Sequence, residues 1–275
     1  MQVITVNRKM LKKSVIYIVM ICLLASCGEY QKLLKSTDPE LKYTRAIEYF
    51  EAGQYTKAQT LFDDVSSYYR GTDRSEEVLT YLARCNVGSK LYDSACEYYL
   101  AYIRNYPKGK HIVEARYMVG HCYYLNSPDA RLDQTDTYKA IEYLTQFVEL
   151  YPENDYAATA YKEIDQMYNK LAEKEYINAK LYYNLGTYLG NNYESAVIVA
   201  KNALKQYPSN AYQEELSWII LAAKYQLVLN SVSELRVERA RDAYDEYYSF
   251  VTEYPQSKHS KAAEKIGTEL KKITK

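Results

Sequence analysis

The sequence predicts an all-α solenoid of about five helical hairpins closed by a C-terminal capping helix, and three observations carry that prediction. Four of the six prolines stand in Tyr-Pro pairs, at Tyr106-Pro107, Tyr151-Pro152, Tyr207-Pro208 and Tyr254-Pro255. Counting back twelve residues from each of these prolines lands on an alanine: Ala95, Ala140, Ala196 and Ala243. The nine glycines and six prolines among 275 residues are too few for a disordered or collagen-like chain, and the length is ample for a folded core.

The chain opens with a basic cluster, Arg8, Lys9, Lys12 and Lys13, followed by an uncharged and mostly apolar stretch from Ser14 to Leu24 that closes on Ala25-Ser26-Cys27. That order is the one of a secretory signal. The apolar run has about 11 residues, whereas about 20 are needed to span a bilayer as a helix, so removal is favoured over a permanent anchor. Leu24-Ala25-Ser26-Cys27 also resembles the lipobox of bacterial lipoproteins. The resemblance implies a signal peptide over 1–26, cleavage before Cys27 and acyl chains on that cysteine. Residues 27–38 then read as a lipidated linker. Gly28 follows the cysteine where an Asp might retain the protein in the inner membrane, so the expected location is the outer membrane, lipid-anchored and facing the periplasm.

Asp38-Pro39 offers an N-cap and a proline at the first helical position, which starts the repeats. In four of the second helices an apolar stripe recurs four and seven residues after the small residue: Phe62 and Val65 after Ala58, Tyr99 and Tyr102 after Ala95, Leu144 and Phe147 after Ala140, Tyr247 and Phe250 after Ala243. The copy after Ala196 has the smaller Ala200 and Ala203. A preceding helix carries its own small residue, Ala46, Ala83, Gly120 or Ala222, and facing small residues let two helix axes approach closely. The fourth copy is irregular. Ala157 to Lys174 reads as a helix running into another from Glu175 to Leu189, with an insertion near Gly190-Asn191-Asn192. Ser257 to Lys275 reads as the terminal helix that an open-ended array needs.

Trp218, Leu221, Ala222 and Tyr225 match the W-x₂-L-G-x₂-Y spacing of the tetratricopeptide repeat with Ala for Gly, and Val119, Gly120 and Tyr123 match it in the third copy. The chain therefore resembles the tetratricopeptide family over residues 39–255, with 256–275 as the cap, and the resemblance implies a right-handed α-solenoid. In that family the first helix of each hairpin lines a concave groove. Carried over, the groove residues are Tyr43, Ile47 and Phe50, then Thr80, Arg84 and Val87, then Tyr117, His121 and Tyr124. Such a trough suits an extended peptide with aromatic residues. Ordinary packing between repeats is the competing reading for each of them. The 34 tyrosines divide in the same way, between hairpin cores and protein-binding hot spots.

Catalytic chemistry is hard to write from this sequence. No two glycines form GxG, no serine lies in GxSxG, and His111, His121 and His259 have no metal-ligand spacing. No catalytic residue, metal or cofactor is expected beyond the covalent lipid, and an enzyme is not expected. Removing the four leader bases leaves 31 bases against 35 acids, net −4, which argues against nucleic acid as a partner. Cys85, Cys96 and Cys122 remain after the leader, an odd count read as buried small hydrophobes, with a Cys85–Cys96 bridge as the alternative.

A lipobox joined to about five such repeats, with the run Leu150-Tyr151-Pro152, Tyr156-Ala157, Leu171-Ala172-Glu173 and Ala179-Lys180-Leu181-Tyr182-Tyr183, resembles the lipoproteins of the β-barrel assembly machinery. The resemblance implies an outer-membrane scaffold. Its partners would be the barrel-forming component with periplasmic repeat domains, other lipoproteins of the machinery, and C-terminal segments of unfolded outer-membrane proteins. A cell-wall or Tol-Pal coordinator of the same build is the alternative, followed by a SusD-like glycan-binding lipoprotein.

Overall fold

The computed structural model describes residues 28–275; the leader 1–26 and Cys27 lie outside the described residues. Twelve helices and no strand occur among them: α1 (28–34), α2 (Pro39–Glu51), α3 (Tyr55–Ser66), α4 (Asp73–Gly88), α5 (Tyr92–Asn105), α6 (Ile112–Asn126), α7 (Thr135–Leu150), α8 (Ala157–Leu185), α9 (Asn192–Gln206), α10 (Gln213–Leu229), α11 (Ser233–Glu253) and α12 (Ser260–Ile273). The chain divides into two units, at Arg116 and Tyr117 within α6.

Helix ends follow local chemistry. Asp38 accepts from the backbone N–H groups of Glu40 and Leu41 at 3.0 and 3.1 Å, with Pro39 at the first helical position, so two orphan donors of α2 are satisfied. At the other extreme, α5, α7, α9 and α11 each stop one residue before a Tyr-Pro pair. A residue that precedes proline is pushed out of the helical region, and Tyr106, Tyr151, Tyr207 and Tyr254 sit at φ between −123° and −137° with ψ between 58° and 71°. Each tyrosine still donates its N–H to the carbonyl four residues back, at 2.8 or 2.9 Å, which closes the last turn.

In the first unit α2 packs on α3, α3 on α4 and α4 on α5. Ala46 and Ala58, the facing small residues of the first hairpin, are both fully buried, and Leu61, Phe62, Val65, Val78, Leu82 and Cys85 fill the core around them. Each large apolar side chain in that core contributes about 1.5–3 kcal/mol by leaving water.

The second unit repeats the device. Its helices α7 to α12 pack in sequence, and α8 also meets α10 while α10 meets α12, the alternation that stacked helical hairpins produce. Gly120 on α6 faces α7 so closely that a Cβ there would lie 2.7 Å from Leu144 Cγ and 2.9 Å from its backbone nitrogen. Helix α10 is buried on most of its circumference, through Leu216, Ile219, Ile220, Leu221, Ala222, Ala223 and Val228, because two cores share it. Lys224 is also buried there and donates to Asp242 at 2.9 Å and Glu246 at 2.7 Å, so its charge is answered rather than stranded.

The fold is an all-α array of tetratricopeptide-like hairpins, and it departs from the sequence reading in two places. Residues 157–189 form one uninterrupted helix to Leu185 rather than two segments. Lys170 to Glu175 consists of strong helix formers with no glycine or proline, so nothing breaks it until Gly186 takes φ 57°. Residues 28–34, read as part of a linker, are helical and packed on the first hairpin. The cysteines follow the sequence reading: Cys85, Cys96 and Cys122 are buried thiols, and the alternative Cys85–Cys96 bridge does not form; burial pushes the Cys85 thiol up to about 12, with Asp63 adding to it.

Candidate partner-binding surfaces

The nine groove residues fall into two sets. In the first unit Tyr43, Ile47 and Phe50 on α2 are half-buried and pack against the core. Tyr43 meets Phe62 and Tyr69 edge-on, with the Arg74 guanidinium 5.1 Å above its ring, and Phe50 meets Tyr55 and Tyr81 edge-on. Arg74 in turn is bonded to Glu40 and Tyr69. On α4, Thr80 is buried and donates its hydroxyl to the Glu76 carbonyl, while Val87 is half-buried. Arg84 donates from both Nε and Nη2 to the carboxylate of Glu114, at 2.7 and 2.5 Å, in a two-pronged pair that holds its pKa above the usual guanidinium value.

In the second unit Tyr117 is buried, stacks on Tyr156 with ring centroids 4.5 Å apart, and donates to Glu163 Oε1 at 3.2 Å. Burial, and then the nearby Glu163 charge, push its hydroxyl pKa upward. His121 places Nδ1 2.8 Å from the same oxygen, and Tyr124 donates to Gln166 at 2.6 Å. Glu163 is itself buried, and its Oε2 has no partner. The structure thus brings Tyr117, His121 and Tyr124 onto one α6–α8 seam, and it uses Tyr117 and Thr80 for packing.

A second feature of this unit was not singled out from the sequence. A cavity of about 310 Å³ is lined by Tyr176, Lys180, Tyr183 and Asn184 from α8, Glu215, Trp218, Ile219 and Ala222 from α10, and Lys258 and His259 at the start of α12. A second cavity of about 360 Å³ shares Tyr183, Trp218 and Ala222 and continues along α10 and α12 to Tyr225, Lys265 and Glu269. Trp218 stacks on the His259 ring at 4.5 Å and 5°. Glu215 accepts from Lys258 at 2.5 Å and lies 3.3 Å from His259 Nε2; burial works to raise its pKa, and the hydrogen bonds to Lys258 and His259 outweigh it, so the net shift is downward. The Lys180 ammonium lies 5.4 Å from the centre of the Tyr176 ring. Glu214, Glu215 and His259 converge closely enough to touch one cation, but Ser257 and Lys258 already occupy the two carboxylates. The wall offers flat π-faces, ammonium groups and an amide. Such groups can grip a polypeptide side chain.

Comparison with known proteins places the chain. The YfiO family, described as an outer membrane lipoprotein, matches residues 35–236. The chain belongs to the YfiO family. Among curated relatives, the outer membrane protein assembly factor BamD of Caulobacter vibrioides is 23% identical over 191 residues, covering 70% of this chain. The matched part spans 61% of that relative's own length. A crystal structure of a thermophilic TPR protein from Thermus thermophilus is similar at a TM-score of 0.31 and 16% identity, covering 86% of this chain and 98% of the other. No helix among the described residues is long and apolar enough to cross a membrane. The YfiO match begins four residues before α2 and takes in both surfaces described above as far as Glu215 to Tyr225, while His259 and Lys258 lie beyond it.

Proposed function

We propose that this chain is a lipid-anchored, non-enzymatic scaffold of outer-membrane protein assembly that faces the periplasm through its helical hairpins. Acyl chains on Cys27 hold it to the membrane, at about 0.8 kcal/mol per buried CH₂, so several chains together give an anchor that does not exchange. The α8–α10–α12 cavity receives the periplasmic domains of the barrel-forming component, and Tyr43, Ile47, Phe50, Arg84, Val87, His121 and Tyr124 receive aromatic C-terminal segments of unfolded clients. Thr80 and Tyr117 support those surfaces from beneath.

The observation that carries this reading is the match to an outer membrane lipoprotein family over residues 35–236. The physics is consistent with it. A docking wall whose aromatic rings are already stacked has little ordering entropy to lose on binding, and a membrane anchor raises the effective concentration of partners embedded in the same bilayer. Purification of the full-length protein from detergent-solubilised envelopes tests the reading. Recovery of a large barrel protein bearing periplasmic repeat domains is expected; recovery of peptidoglycan-linked proteins with no barrel protein would refute it.

A further inference from the structure

Helix α1 immediately follows the proposed acylation site, and it is not a loose tether. Leu33 is 7% exposed in the core with Leu61 and Phe62. Near the N-terminal end of α1, Tyr30 meets Tyr49 edge-on at 5.5 Å and donates to the Lys57 carbonyl at 3.4 Å, while Glu29 lies 3.9 Å from Arg45. At its C-terminal end Lys42 donates to the Leu34 carbonyl at 3.1 Å and to the Asp64 carboxylate. Tyr49 and Lys57 flank the α2–α3 turn at Ala52–Gln54, whereas Lys42 and Asp64 belong to the opposite end of that hairpin. Helix α1 therefore runs antiparallel to α2, and Gly28, one bond from Cys27, stands at the turn end.

We propose that the first hairpin meets the lipid surface with its α2–α3 turn, with α1 acting as a splint that fixes this orientation; the inference rests on the acylation of Cys27. A flexible linker of twelve residues would let the protein wander about 20 Å from its anchor. With α1 docked, that freedom is gone. The groups at the turn end suit a bilayer interface: Tyr30 and Tyr49 present rings with polar tips, and the Lys57 ammonium lies 5.4 and 5.2 Å from their centres on an apolar stem.

The geometry sets a ruler. Gln54 and Ser67, both exposed, bracket α3, and a helix of that length separates them by roughly 20 Å along its axis. A fluorophore attached at Gln54→Cys or Ser67→Cys is used on the full-length acylated protein in phosphatidylethanolamine–phosphatidylglycerol vesicles carrying a headgroup spin-labelled lipid; the native thiols at Cys85, Cys96 and Cys122 are buried. Quenching at position 54 is expected to exceed that at 67 several-fold. Inserting twelve Gly-Ser residues between Gly28 and Glu29 should erase the difference while circular dichroism stays the same. Equal quenching at both positions in the uninserted protein would overturn the proposal, as would stronger quenching at 67. Mass spectrometry of the N-terminal peptide separates the two levels: an unacylated Cys27 overturns this inference together with the anchoring reading, and an acylated Cys27 with equal quenching overturns this inference alone.

Discussion

At Gly120 the space between two helices is smaller than a methyl group. A Cβ there would meet both the side chain and the backbone of Leu144, and backbone cannot yield by turning about a side-chain torsion. Gly120→Ala is therefore expected to destabilise the protein by about 1–3 kcal/mol through overpacking, although alanine is the better helix former. A lowered midpoint in thermal unfolding checks this, and an unchanged or raised midpoint would show that α6 and α7 do not approach as described. Tyr117 and Tyr124 make a contrasting pair. Tyr117→Ala removes a buried ring and should cost about 3–5 kcal/mol, whereas Tyr124→Ala removes a half-exposed ring bonded to exposed Gln166 and should cost under about 1 kcal/mol. Urea titration of the two variants distinguishes a packing residue from a surface one; equal losses would contradict the assignment. The resemblance to the tetratricopeptide family placed both on the groove face, because a repeat position reports which side of a helix a residue occupies. It does not report how deeply the neighbouring helix covers that side.

Helix boundaries were the most legible elements, because their causes are local. Asp38-Pro39 and the four Tyr-Pro pairs act through backbone geometry within a few residues, and the structure starts or ends helices where they stand. The course of α8 was harder to read, since an unbroken helix and two abutting ones share one amphipathic pattern. Ion pairs and hydrogen bonds between distant helices were not legible at all. Arg84 and Glu114 are thirty residues apart, His121 and Glu163 forty-two, and Glu215 and Lys258 forty-three, distances at which only the packing of helices decides who meets whom. Trp218 was read as the tryptophan of the repeat spacing, and the cavity it walls depends on α12 arriving beside it. The Glu215 junction between α10 and α12 carries a pH dependence. Its carboxylate is held below the ordinary value of 4.5, so its contribution is present above that pH and is lost as pH falls through the lower folded-state value. Glu215→Gln is expected to show a smaller fall in urea midpoint between pH 7 and pH 3 than the parent; an identical fall would mean that this junction adds nothing to acid stability.

On the scale of the whole molecule, each unit builds its core from hairpins that cannot bury their apolar faces alone, and the second unit finishes with α12 covering α11 through Ala263, Ile266 and Leu270. Cys27→Ser should abolish acylation and release the protein from the outer-membrane fraction, which fractionation of the envelope measures; retention there would assign anchoring to other contacts. The docking claim is tested most directly in living cells by placing a photo-crosslinking amino acid at Asn184, an exposed residue on the rim of the Trp218 cavity. The account predicts a covalent adduct with the barrel-forming protein that disappears when Lys180→Glu reverses the charge one turn away. An adduct with the barrel-forming protein from Ser67, on the first hairpin, and none from Asn184 would contradict it.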